Sequence, residues 1–486
     1  MTKFSKYQLI FYSILFLSVE LFAQHLTLNE AIEISLSRNE KIKMYQAKLS
    51  QKEYDNLSAW GNFLPVIDIE ARYTHLNKDL QIDLNPIRDA MINIQAGNQV
   101  ELTNISNVLQ GLSPLTDAQR LQVFGTAYSS YDGLLPQFVE TFKKQDYKTS
   151  TLTAIQPLFL GGKLLAAKKY ASAELRAAEN ELTKIKNEVA SEVISSYMQV
   201  LVLQKIVSTR NDVLNGMLQH KINADKLYDQ GIIPKYHLLR AEVAVAEAER
   251  NLSTDKNNLE LAQIVFANLL GSDNYKDIYL SDSLLFKHSS DPIEMFLSKA
   301  ESNQPILKIL QEKRNSAAQN YNVAVSSFLP QVAAFGKYDM YPEYLSSLEP
   351  RWAVGLQAKF NLFNGIKDYH NLQKAKELEN EVDYLSADTK RKIDLWINKS
   401  YRDMSNNSTE FLKLDANIEL AKENYRTNES RFNSGLSTSL EVIDAQLSYE
   451  KIKIDRLLTL YKYYNALNDL YLASGSLTEF LNIWNQ

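Results

Sequence analysis

The chain has 486 residues, a formal net charge of −5, 45% hydrophobic residues and no cysteine. Its length would hold several ordinary domains, while the missing cysteine excludes disulfides, thiol chemistry, cysteine-based zinc sites and lipidation of an N-terminal cysteine. A weakly acidic balance without a basic stripe leaves no electrostatic footprint for nucleic acid.

At the N-terminus Lys3 and Lys6 precede an apolar run from Leu9 to Val19 and then Leu21-Phe22-Ala23. This is the layout of a secretory signal peptide over residues 1–23. No later stretch offers 18 consecutive apolar residues, so the mature chain is expected to be exported and to lack a membrane helix. A helix is expected over 24–61. Then Asn62-Phe63-Leu64-Pro65 leads into Ile67–Tyr73, where apolar residues take the odd positions and Asp68, Glu70 and Arg72 the even ones. That alternation predicts a strand with one apolar and one polar face.

The strand region 62–160 carries an insert at about 74–147, rich in Leu, Ile, Asn and Gln and punctuated by Pro86, Pro114 and Pro136. It is expected to be an extracellular, ordered, partly helical cap, because it joins two strands at the end away from the helices. A second strand is expected around Thr149–Gln156, where the sequence does not say which residues share a face.

Pro157-Leu158-Phe159-Leu160-Gly161-Gly162-Lys163 then opens a helical hairpin over 161–270. Its first helix, 163–229, has no proline and carries Leu182, Ile185, Val189, Val193, Tyr197, Val200 and Val207 at steps of mostly three and four, the stripe of a packed helix. An unbroken helix of that length spans about 100 Å at ~1.5 Å per residue, so it must pack sideways in a long bundle. Gly231 can stop it as a left-handed C-cap, and Pro234 suits the first turn of the returning helix. Residues 271–290 join this half to the next.

The second half repeats the first. A helix is expected over 291–326, and Ser327-Phe328-Leu329-Pro330 opens the strand region 327–363, with alternating runs at Val332–Met340 and Trp352–Phe360. Asn361-Leu362-Phe363-Asn364-Gly365-Ile366-Lys367 opens a second hairpin over 364–472, ahead of a C-terminal segment 473–486. Gly161 to Gly231 and Gly365 to Gly435 are both 70 residues apart, and Tyr228-Asp229-Gln230-Gly231-Ile232 matches Phe432-Asn433-Ser434-Gly435-Leu436. The offset between copies falls from 265 at Phe-Leu-Pro to 204 at Leu-Phe-x-Gly, so the first copy carries 61 extra residues between them. Thr438 and Glu441 form a capping-box pattern at the second tip. The order of elements predicts an internal two-fold repeat of helix, strand, strand and long helical hairpin.

Four amphipathic strands in an exported chain suit a membrane barrel, and aromatic residues gather at their ends (Phe63, Tyr73, Tyr338, Trp352, Phe360 and Phe363) as at an interfacial girdle. Four strands cannot close. An open edge in hydrocarbon leaves backbone groups unpaired at several kcal/mol each, and the smallest filled barrels need about eight strands. Copies of the chain must therefore complete the wall.

The pattern resembles the TolC-like outer-membrane factor family along essentially the whole mature chain. The resemblance is carried by Phe63-Leu64-Pro65, Phe328-Leu329-Pro330, Gln156-Pro157-Leu158-Phe159 with Gly161-Gly162, Leu362-Phe363-x-Gly365, and the tips Tyr228-x-x-Gly231 and Arg431-Phe432-x-x-Gly435-Leu436 with Glu441, Asp444 and Ala445. It implies a homotrimer sharing a 12-stranded barrel in outer-membrane lipid and an α-helical periplasmic tunnel. It also implies docking to a periplasmic adaptor and an inner-membrane transporter of an efflux or type I secretion system.

On that likeness Glu441 and Asp444, three apart on one helical face, would form carboxylate rings at the channel entrance, favouring cations. Plain capping of Thr438 is the competing role for Glu441, and a solvated face for Asp444. Arg240, with His237, is expected to pair with these acids and latch the entrance. Gly231-Ile232 and Gly435-Leu436 are the expected adaptor contacts. No catalytic constellation, cofactor motif or metal-ligand spacing is present: the six histidines (25, 75, 220, 237, 288, 370) are scattered. A periplasmic coiled-coil adaptor is the main alternative and an exported enzyme the third reading.

Overall fold

The structure is a computed structural model and describes residues 24–272, 274, 278–346 and 348–485. The expected signal peptide, 1–23, lies outside the described residues, as do four positions of the 271–290 join.

In chain order the elements begin with β1 (Gln24–Leu26), α1 (Leu28–Arg38), α2 (Glu40–Gly61), β2 (Val66–His75) and β3 (Leu80–Asp83). There follow α3 (Asn85–Leu109), α4 (Asp117–Leu134), β4 (Val139–Lys143), β5 (Asp146–Leu160), α5 (Lys163–Asp229) and α6 (Lys235–Leu269). The second half comprises β6 (Ile278–Leu280), α7 (Ile293–Asn303), α8 (Pro305–Ser326), β7 (Gln331–Asp339), β8 (Trp352–Lys359), α9 (Lys367–Asn433), α10 (Ser439–Ala473) and α11 (Leu477–Asn485). The chain divides into two compact units.

One unit comprises Trp60–Leu164 and Val325–Asp368. Its main sheet is antiparallel in the order β2-β5-β7-β8, and its register sorts the side chains. Ile67 and Ile69 lie opposite Ala154 and Leu152. Those lie opposite Gly336 and Tyr338, which lie opposite Val354 and Trp352. One face is therefore apolar across all four strands. Asp68, Glu70 and Arg72, with Thr149, Thr151 and Thr153, fall on the other. A register shift between Pro157 and Phe159 explains why the sequence of β5 did not declare its faces: an extra residue reverses the alternation. The apolar face is exposed, Val354 at 73% and Leu356 at 72%, and among the described strands β2 and β8 each have one neighbour only.

The insert within this unit is ordered. β3 and β4 form an antiparallel ladder, and α3 packs on α4 through Ile92, Ala96, Val100 and Ala127, all buried. Leu115 N–H donates to Asn104 Oδ1 at 2.8 Å and Thr116 supplies a capping box with Gln119 to start α4.

The other unit comprises the described residues up to Ala59, Leu165–Ala324 and Tyr369 onward. α5 and α9 each run 67 residues and the returning α6 and α10 each run 35. The helices expected over 24–61 and 291–326 are each broken in two. Asn39 caps the second piece, its Oδ1 accepting from Lys41 N–H at 2.9 Å, and Gln304 precedes Pro305 and is held extended, φ −63 and ψ 115, as the pre-proline clash demands. The C-terminal segment carries α11.

The core of this unit collects Tyr197, Phe266, Phe296, Tyr463, Tyr464, Leu467, Tyr471, Phe480 and Trp484. Several of its polar atoms are paired. Asp282 accepts from Leu28 N–H at 2.9 Å, Tyr197 OH at 2.9 Å and Trp484 Nε1–H at 3.0 Å. Tyr463 OH donates to Lys287 O and Tyr464 OH to Leu285 O, at 2.7 and 2.5 Å. These bonds strap the extended segment after β6 onto α10, because a buried phenol must find an acceptor.

Candidate functional site

The two hairpin turns lie together in the helical unit. Gly231 and Gly435 have φ of +74° and +73°, and the chain closes each helix behind them. Gly231 N–H donates to Tyr228 O and Ile232 N–H to Leu227 O at 2.8 and 2.9 Å; Gly435 N–H donates to Phe432 O and Leu436 N–H to Arg431 O at 2.9 and 2.8 Å. This paired closure is a Schellman motif. A Cβ on Gly435 would stand 3.5 Å from Ile232 Cγ2, so the turns touch. Ile232 and Leu436 themselves are exposed, at 54% and 71%.

Behind the turns, Ala224, Ala241, Phe432 and Val442 form a small core drawn from α5, α6, α9 and α10. Ser439, fully buried, is its polar centre. His220 Nε2 lies 2.8 Å from Ser439 Oγ, and Ser439 N–H donates to His237 Nδ1 at 3.4 Å. The His220 ring rests against Phe432 with centroids 4.7 Å apart. A first-turn N–H of α10, which has no partner inside its helix, is thus taken up by an imidazole from α6. Burial pushes the His220 pKa down to about 4, helped by His237. Burial and then Arg240 hold His237 below the ordinary histidine range.

Glu441 completes the capping box of α10: its backbone N–H donates to Thr438 Oγ1 at 3.3 Å and its Oε2 accepts from Thr438 N–H at 3.1 Å. The Ser437 hydroxyl donates to the same oxygen. The Ser437 hydroxyl first, then the Thr438 N–H and the charge of Arg431, keep this carboxyl below the usual carboxylate range. Asp444 is exposed one turn on. Arg240 is exposed beside His237, and among the described residues of one chain neither Arg240 nor Asp444 has an ion pair.

Two features here escaped sequence reasoning. A Cβ on Gly216 would meet Gln446 Nε2 at 2.4 Å, because Gln446 reaches across to donate to Val213 O at 3.2 Å. Further along, Arg210 on α5 donates to Asp255 of α6 at 2.8 Å and to Glu450 of α10, tying both hairpins with one guanidinium. Only the interruption at Gly216 signalled the first; residues 210, 255 and 450 gave no signal. No group of residues able to hold a metal occurs among the described residues.

The profile of a protein family described as "Outer membrane efflux protein" matches residues 124–272 and 296–476. Among curated proteins no sequence matches. Solved structures do. The outer membrane protein VceC from Vibrio cholerae aligns at TM-score 0.70 with 17% identity, over 92% of this chain and 96% of that one. The CmeC outer membrane channel of Campylobacter jejuni aligns at 0.69 with 15% identity, over 93% and 86%. The open state of the MtrE outer membrane channel of Neisseria gonorrhoeae aligns at 0.69 with 15% identity, over 94% and 93%. At such identities the likeness establishes the fold.

Proposed function

Because the chain belongs to the outer membrane efflux protein family, we propose that three copies of it close a 12-stranded barrel and continue as a helical tunnel. That tunnel is the exit duct for an adaptor and an inner-membrane pump of an efflux or type I secretion system. One observation carries this reading: the four-stranded sheet is apolar on one whole face, that face is exposed, and both edges are open. In water such a face is a liability, and in lipid such edges are forbidden. Pairing β8 of one copy with β2 of the next removes both problems at once.

The exposed turns at Ile232 and Leu436 are the docking surface for the adaptor. Asp444, exposed and free in its own chain, lines the entrance, with Glu441 beside it. Glu441 Oε2 already serves the cap of α10, so the latch partner of Arg240 is Asp444 of a neighbouring copy, and His237 holds the base of α10 from below. The experiment is reconstitution into planar bilayers. The native protein should migrate as a heat-modifiable oligomer, fractionate with outer membranes and conduct in small steps. Arg240→Glu should raise the single-channel conductance, and an unchanged conductance removes the latch. A chain that is monomeric and soluble without detergent removes the channel.

A further inference from the structure

Helix α3 has two apolar faces, and its own chain uses one. Arg88, Ile92, Ala96 and Val100 are buried toward α4. At roughly 100° per residue, the opposite side carries Ile87, Met91, Ile94, Leu102, Ile105 and Leu109, all exposed, Ile94 at 61% and Leu109 at 82%. With Asn98 they follow one another at steps of three and four, the seam by which one helix meets another. A single asparagine in such a seam fixes register at some cost in stability.

The charges decide what covers this seam. α3 has three charged residues, Arg88, Asp89 and Glu101. Arg88 is bonded to Asp132 at 2.5 Å and to Asp89 at 2.9 Å, and Glu101 to Arg120 at 2.8 Å. The seam itself is uncharged. A helix lying on a membrane surface carries Lys and Arg along its polar face, and α3 spends its one arginine inward. A charged partner would find nothing to pair with, whereas an identical seam meets no repulsion.

We propose that α3 packs along this seam against α3 of another copy of the same chain, gathering the inserts into a helical cluster. This rests on the reading that copies share one barrel: the insert joins β2 to its neighbour β5, so a closed assembly brings the copies of α3 around one axis. The chain has no cysteine, so single Ile94→Cys and Ile105→Cys variants of the full chain each carry one thiol. Oxidised in the membrane, both should yield covalent dimers, while Gln99→Cys, about a third of a turn off the seam, should not. An intact oligomer in which neither seam position cross-links, or Gln99→Cys cross-links equally, overturns the inference alone. A chain that does not oligomerise overturns the shared barrel and this inference with it.

Discussion

At Ser439 one hydroxyl and one backbone N–H take up two imidazoles that come from different helices, His220 and His237. Both act here as neutral groups. A proton on His220 would be opposed by one on His237, and a proton on His237 by Arg240, while the start of α10 adds its own positive end. A proton is unwelcome from every side. Between the ordinary histidine value of 6.5 and the folded value of about 4 for His220, the unfolded chain binds a proton that the folded one refuses, so stability falls as pH falls through that window. At about 1.4 kcal/mol per pKa unit, the effect is on the order of 3 kcal/mol. Thermal unfolding should therefore drop between about pH 7 and pH 4.5 in the native protein and drop less in His220→Gln. The sequence singled out His237 only as a latch beside Arg240; its bond to Ser439 was not legible, since 220 and 439 acquire meaning only when the hairpins meet. The capping box at Thr438 and Glu441 was legible, because a cap is local and its partners are three residues apart.

At the scale of elements, the four helices of the two hairpins are joined by several polar ties, among them Lys453 to Asp212, Arg456 to Asp415 and Asn468 to Ser191, and Arg210 pairs with acids on two of the other helices. Its guanidinium faces Asp255 and a nearly buried Glu450. Removing it leaves the Glu450 carboxylate, 5% exposed, without its cation, a change that in a buried pair typically costs about 3–5 kcal/mol. Arg210→Ala should lower the unfolding midpoint, and Arg210→Ala with Glu450→Gln should recover part of the loss; equal losses in both would show that the tie is only packing. The lengths of α5 and α9 were readable because glycines mark where each must end. The breaks at Asn39 and Gln304 were present as residues, an asparagine and a pre-proline position, but the surrounding periodicity masked them. β5 hid its faces because a bulge sits inside it. α4 hid its packing because its apolar residues spread around the helix.

For the whole molecule the sheet decides the setting. Its apolar face was anticipated on β2, β7 and β8 from alternation, yet only the register shows that Ile69, Leu152, Tyr338 and Trp352 form one row across four strands. A lysine on this face near the bilayer midplane costs about 2–4 kcal/mol. Val354→Lys should sharply reduce recovery of the oligomer from outer membranes, whereas Gln357→Lys, on the opposite face, should leave recovery close to native. Equal behaviour of the two would mean that lipid does not touch that face.

The two raw margins of the sheet, β2 and β8, also bear on how the protein is made. Until something covers them, each chain carries a greasy panel and two sticky hems facing water, the state most prone to joining the wrong neighbour. Transit must then be brief or escorted, and if three copies close one barrel, as proposed above, a modest fall in production should cut the number of finished assemblies far more than in proportion.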